Sequence, residues 1–295
     1  MTETTWEPIP PVVGQIESAL QRGHTFAVRL PANLIPPIET IAGRYFLLRC
    51  GSAAGGEREG DWSNFVRLPL FVCGRQALDR QERWQFYLPH SRYDEGGQPV
   101  PGQAESHSGD DGGWAWLAKR ALGDLLNLLG PFGNGFTLLP ELQNLLLLAD
   151  IEDDAAWFWK LLPLCEQALD RGGRVTVLIR AKSEEAVAEL MHFVPVQVEV
   201  RTETSESKWL KEIGGTVGWA DQVCAGVSPS SFEALLSIVR QARFRVDRNF
   251  AQILVRADLL CGVGACLVCA VPTARGGVTR ACVHGPVFDL TELAE

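Results

Sequence analysis

Four cysteines near the C-terminus constrain this chain more than any other feature. Cys261, Cys266 and Cys269 form a C-x4-C-x2-C run, and Cys282 follows after twelve residues. This is the plant-type spacing for a [2Fe–2S] cluster. Three thiolates so close in sequence reach two adjacent irons only if the backbone wraps around them. Gly262 and Gly264 permit the wrapping and bring bare amides toward the sulfurs, and Ala265 adds no bulk. A structural zinc site is the competing reading. Zinc knuckles usually come as two C-x2-4-C pairs, and the second pair is missing here. His284 stands nearby, but four thiolates already saturate a two-iron cluster, so it reads as a polar loop residue beside it.

The remaining cysteines, Cys50, Cys73, Cys165 and Cys224, are scattered through apolar neighbourhoods. They read as buried free thiols that behave as small hydrophobes. A net charge of −9 argues against a nucleic-acid partner, which needs a concentrated basic face. Apolar runs such as 145–149 fall far short of the ~20 residues that a membrane-spanning helix requires. The opening Met1-Thr2-Glu3-Thr4-Thr5 has neither the basic region nor the apolar run of a secretory signal. The expected compartment is the cytoplasm, where clustered cysteines point to metal before disulfides.

At 295 residues the chain should hold two compact domains and an appendage. Up to about 138 the pattern is one of short strands, at 25–30, 45–50, 67–73 and 83–88, with solvated loops at 51–60 and 93–113. Such spacing predicts a small antiparallel barrel or sandwich. It closes on Gly130-Pro131-Phe132-Gly133-Asn134-Gly135-Phe136, a tight exposed loop whose backbone can approach a ligand. From 139 to 245 the pattern alternates. Strands are expected at 145–149, 174–179, 196–200 and 222–226, and helices at 154–170 (kinked at Pro163), 183–192, 206–213 and 230–241. Alternation of this kind predicts a doubly wound parallel sheet. The last part, 246–295, carries the cysteines.

The cysteine run, with Cys282-Val283-His284-Gly285-Pro286-Val287-Phe288 after it, resembles the electron-transfer subunit of dihydroorotate dehydrogenase, within the ferredoxin-reductase group. The C-x-x-G-P-V-F closure is shared, and the 130–136 loop resembles the family's G-P-L-G-N-G-F. Trp116-Leu117, Gly123-Asp124 and the strand at 45–49 also fit. The resemblance implies a flavin-binding barrel (1–138), a nucleotide-binding α/β domain (139–245) and a small [2Fe–2S] domain (246–295). It also implies a role, in which the cluster relays single electrons to a catalytic dehydrogenase subunit that makes orotate for pyrimidine synthesis.

The chain departs from that pattern at three places. The family's flavin strand has the form R-P-x-S, and here it reads Arg67-Leu68-Pro69-Leu70-Phe71, without the serine hydroxyl. The G-x-G-T turn becomes Asp111-Gly112-Gly113-Trp114. The glycine-rich turn after the first α/β strand becomes Asp150-Ile151-Glu152-Asp153-Asp154-Ala155-Ala156-Trp157, whose carboxylates suit a helix start but repel a phosphate. Pyridine-nucleotide binding is therefore not expected. Trp114, Trp116, Trp157 and Trp159 read as rings that fill a vacant cleft.

The leading expectation is an iron–sulfur electron-transfer subunit ligated by Cys261, Cys266, Cys269 and Cys282, with Gly262 and Gly264 shaping the cluster loop. One alternative is a reductase subunit that keeps FAD through Arg67, Gly130 and Gly133 and is linked to NAD(P)H. Another is a non-enzymatic assembly protein braced by a structural cluster.

Overall fold

The computed structural model describes residues 11–17, 25–51, 67–88 and 111–295. The loops expected at 51–60 and 93–113 lie largely outside these residues. The chain divides into two compact units, the first built on strands up to Phe132 and the second on 133–295 with two short earlier segments.

In the first unit six strands close into an antiparallel barrel. They are β1 (Val12–Ile16), β2 (Thr25–Pro31), β3 (Tyr45–Arg49), β4 (Leu68–Leu78), β5 (Gln81–Tyr87) and β6 (Leu125–Phe132), in the order β1-β2-β5-β4-β3-β6. Alternation drives the closure: Glu82, Trp84 and Phe86 of β5 are buried while their neighbours are not. Phe46 meets the Trp84 and Phe86 rings edge-on at 5.2 and 5.5 Å. Each such ring contributes about 1.5–3 kcal/mol on burial. Helix α1 (Asp111–Ala118) comes between β5 and β6, and its Gly113 packs where a Cβ would meet Cys50 Sγ at 3.3 Å.

The second unit is a six-stranded sheet in the order β14-β11-β10-β7-β8-β9. Strands β7 (Asn144–Asp150), β8 (Arg174–Arg180), β9 (Glu199–Glu203), β10 (Gln222–Gly226) and β11 (Ala251–Leu254) run parallel. The apolar run 145–149 is buried on both faces, as a central parallel strand requires. Helices α2 (Ala156–Leu161), α3 (Pro163–Asp170), α4 (Glu185–Ala188), α5 (Glu206–Val217) and α6 (Phe232–Ala242) lie among these strands in sequence. The hairpin β12 (Ala270–Pro272) with β13 (Val278–Arg280), helix α7 (Ala281–His284), β14 (Val287–Asp289) and helix α8 (Leu290–Leu293) complete the chain. Among the described residues no helix is long and apolar enough to cross a membrane.

Several local expectations need correction. The helix over 154–170 is two helices, because Pro163 lacks the amide an interior position needs and instead opens α3. The helix over 183–192 shortens to α4 and a 3-10 turn at Leu190–Phe193. The strand at 196–200 sits three residues later as β9, an edge strand with little burial to pin its register. Gly130 and Phe132 belong to β6 rather than to a loop. His284 ends α7.

The cysteine segment leaves the sheet at the end of β11 and re-enters it at β14, which pairs antiparallel with β11. Its two ends are therefore held by one sheet, with Ile253 opposite Phe288 and Leu254 opposite Val287.

Candidate metal centre

The cysteine loop needs backbone conformations that L-residues avoid. Gly262 and Gly264 take φ of +69° and +73°, and Leu267 is drawn into the same left-handed region at +59°. A side chain pays about 1–2 kcal/mol to sit there, so the turn at Leu267 is imposed by what surrounds it. At Gly264 space is also closed, since a Cβ would lie 2.7 Å from Val283 Cγ2. Arg280 Nη1 donates to the Gly264 carbonyl at 3.2 Å, and the Ala281 amide donates to the Cys269 carbonyl at 2.9 Å. These bonds bring the segment after β13 against the loop and carry Cys282 to the other three cysteines.

The four sulfurs meet as two pairs. Cys261 and Cys266 Sγ are 3.4 Å apart, and Cys269 and Cys282 Sγ are 3.2 Å apart. One metal with bonds of about 2.3 Å to sulfur places tetrahedral neighbours roughly 3.7 Å apart, so each pair is spaced for one shared metal atom. Among the described residues no three His, Cys, Asp or Glu side chains gather around one point. The donors are thus grouped in twos, an arrangement that iron–sulfur ligation can use. Cys266 is exposed, Cys261 is half-buried, and Cys269 and Cys282 are buried.

The loop also sets the charge of the sulfurs. Burial opposes ionisation of Cys261, but the amides of Cys266, Val263 and Ala265 and the Cys266 thiol all favour its thiolate, and its pKa falls to about 6. Cys282 goes the other way: burial first, then the Cys269 thiol and its charge, push it up to about 12, against the pull of the Gly264 amide at 3.2 Å. A bound metal cation would favour the Cys282 thiolate against these effects. The other four cysteines are buried, as expected, and burial raises the pKa of Cys73, Cys165 and Cys224.

The sequence reading missed Asn134. Its backbone amide donates to the Gly285 carbonyl at 2.9 Å, and its side chain spans both polar groups of Val287 and the His284 carbonyl. The G-N-G of 133–135 therefore holds the G-P-V-F closure behind Cys282. A short polar residue between two glycines, paired in sequence with a family closure motif, was the available signal.

The proposed flavin residues are engaged within the protein. Arg67 donates to the Leu47 carbonyl at 3.2 Å and to Asn127 Oδ1 at 3.0 Å, and burial lowers its pKa. A Cβ at Gly130 would meet Phe46 and the Tyr45 carbonyl at 3.1 Å. The Gly133 carbonyl accepts from Arg44. Phe71, at the position of the missing hydroxyl, lies 5.6 Å from the Tyr45 ring. Of the residues expected at a flavin, Arg67 and Gly133 thus already have protein partners, Gly130 is crowded, and Phe71 offers an apolar ring in place of a hydroxyl.

A closed antiparallel barrel, a parallel α/β sheet and a thiolate loop between two of its strands define an iron–sulfur protein of ferredoxin-reductase-like fold. Residues 257–294 match the model of the iron-sulfur cluster binding domain of dihydroorotate dehydrogenase B. The chain is similar to electron-transfer subunits of that enzyme. It is 26 % identical over 186 residues to the subunit from Streptococcus pneumoniae, covering 61 % of this chain and 71 % of that one. It is 28 % identical over 191 residues to the subunit from Bacillus caldolyticus, covering 61 % and 70 %. Among solved structures, one described as an NADH-dependent reduced ferredoxin-NADP oxidoreductase is similar with a TM-score of 0.60 at 17 % identity, covering 95 % of this chain and 88 % of that one. A ferredoxin reductase of carbazole 1,9a-dioxygenase gives 0.52 at 13 %, covering 82 % and 66 %. At such identities the likeness establishes the fold.

Proposed function

We propose that this chain is the iron–sulfur electron-transfer subunit of a cytoplasmic oxidoreductase, ligating a [2Fe–2S] cluster through Cys261, Cys266, Cys269 and Cys282. The observation that supports the cluster type is the pairing of sulfurs, Cys261 with Cys266 and Cys269 with Cys282, which would offer each of two irons two protein thiolates. When bound, such a cluster accepts and donates one electron at a time. Gly262 and Gly264 let the loop turn inward, and the Gly264 amide donates to the Cys282 sulfur. A donor to a ligand sulfur stabilises the more negative, reduced charge state and raises the potential.

The partner fitting this reading is a catalytic dehydrogenase subunit that converts the organic substrate, of the dihydroorotate dehydrogenase kind named in the relatives, with pyrimidine synthesis as the pathway. The work divides along the chain: 1–138 a barrel with a degenerate flavin site, 139–245 a degenerate nucleotide-binding sheet, 246–295 the cluster segment. The engagement of Arg67 and Gly133 by protein groups, with Gly130 packed against Phe46 and Tyr45, supports a chain without FAD. The test is anaerobic purification followed by flavin extraction and transfer assays with the co-purified dehydrogenase. Less than about one flavin per ten chains, with cluster reduction by the substrate-reduced partner, is the expected result. Stoichiometric FAD favours the reductase alternative, and a cluster that no partner reduces favours the assembly alternative.

A further inference from the structure

The order of the α/β sheet puts its topological switch point between β7 and β10. From β7 the chain steps outward to β8 and β9, then returns to the other side at β10. In open sheets of this kind ligands enter the crevice beyond the carboxyl ends of the strands at that point, and a dinucleotide places its pyrophosphate on the free amides of the following helix. Three things are needed there: open volume, unclaimed amides and a surface without fixed negative charge.

Each is taken by the chain itself. Ala149 of β7 lies opposite Gly226 of β10, and the Trp157 indole packs onto this end so tightly that a Cβ on Gly226 would fall 2.8 Å from its ring. Trp157 is fully buried. The amides before and at the start of α2 are occupied. The Asp153 amide reaches Asp150 Oδ1 at 3.4 Å, the Ala156 amide donates to Asp154 Oδ1 at 2.9 Å, and the Trp157 amide donates to the Asp154 carbonyl at 3.0 Å. The side-chain cations there are spoken for as well. Arg180 clasps the buried Asp150 with contacts of 2.8 and 2.6 Å, Lys160 faces Asp154 at 3.9 Å, and Arg256 reaches Asp153 at 2.8 Å.

We propose that the α/β unit is self-liganded: Asp150 and Asp154 hold the amides that a pyrophosphate would hold, and the Trp157 indole fills the switch-point crevice. NADH and NADPH therefore do not bind this unit and do not reduce the cluster directly. The inference rests on the relay reading above, because it concerns which donors that relay accepts. It goes further in assigning the exclusion to an internal occupant. The indole Nε1 donates to Asp153 Oδ2 at 3.2 Å, and Arg256, five residues before Cys261, binds the same carboxylate. The occupant is thereby tied to the strand end that leads into the cluster loop.

The test uses the full chain with its cluster, purified without oxygen. NADH and NADPH are each titrated in equilibrium dialysis to about 5 mM, above the usual ~1 μM–1 mM range of enzyme substrates, and the visible cluster band is followed after mixing. No saturable binding, with a band that stays oxidised under either nucleotide and bleaches with dithionite, is expected. Saturable binding below about 1 mM, or bleaching by either nucleotide, overturns the self-liganded crevice and leaves the relay intact. A band that dithionite also fails to bleach counts against the relay, while the dialysis still decides whether nucleotide binds.

Discussion

Asn134 brackets Val287: its Oδ1 accepts the Val287 amide at 3.1 Å, and its Nδ2 donates to the Val287 carbonyl at 2.6 Å. Val287 begins β14, the strand that returns the cluster segment to the sheet. One side chain thus replaces a missing strand partner on both polar groups of that residue. Asn134→Ala leaves both half-buried groups without it, at a cost of about 1–3 kcal/mol. Thermal unfolding should fall by several degrees, and iron should be lost to a chelator several-fold faster. Unchanged iron loss would show that the closure behind Cys282 needs no latch.

Gly264 and Gly276 separate backbone strain from crowding. Both have a positive φ, +73° and +74°, but a Cβ at Gly276 meets nothing within 4 Å while one at Gly264 strikes Val283. Gly276→Ala should cost about 1–2 kcal/mol in stability and keep the cluster. Gly264→Ala should lose most of its iron as isolated. Equal iron in the two variants would mean that loop geometry does not govern assembly.

The sulfurs of the metal-free protein should differ in reactivity. The thiolate is the nucleophile, and with its pKa lowered to about 6 Cys261 is mostly thiolate at pH 7. Iodoacetamide labelling of Cys261 should rise between pH 5 and 7 and then level off. Cys282, pushed up to about 12 and buried, should stay unlabelled over that range. Peptide mapping by mass spectrometry reads both, and a Cys282 that labels first would contradict the assigned loop.

Asp150 and Arg180 form a buried ion pair beneath the turn that follows β7. Removing one partner of such a pair costs about 3–5 kcal/mol because the other charge is left in a poor solvent. Arg180→Ala should lower the urea midpoint accordingly, and Trp157→Ala should cost about 3–5 kcal/mol through the cavity left behind. A loss below about 1 kcal/mol in both would mean that the crevice is looser than the packing against Gly226 implies.

Much of this was legible in the sequence because two signals are short-range. The cysteine spacing encodes a loop, and the alternation of 145–149 and 174–179 with helical stretches encodes a parallel sheet; both reappear with small shifts. What failed was long-range. Nothing local says that Gly130 lies within β6 and that Phe132 pairs with Tyr45 of β3, since a G-P-F-G run carries the chemistry of a turn while its neighbours supply a strand. Asn134 acts across 153 residues of sequence. The acidic turn at 150–154 was readable as hostile to phosphate, but its cations, Arg180 and Arg256, come from β8 and from the segment just after β11. Trp157 was readable as a cleft filler, whereas the cleft it fills is defined only by the strand order.

The central claim is a two-iron cluster held by four thiolates, and it is tested most directly by iron and sulfide analysis joined to EPR of the reduced protein. Two irons and two sulfides per chain, with a one-electron S = 1/2 signal that Cys266→Ser abolishes or strongly alters, is the predicted result. Zinc in place of iron, or an unchanged signal in Cys266→Ser, would contradict it.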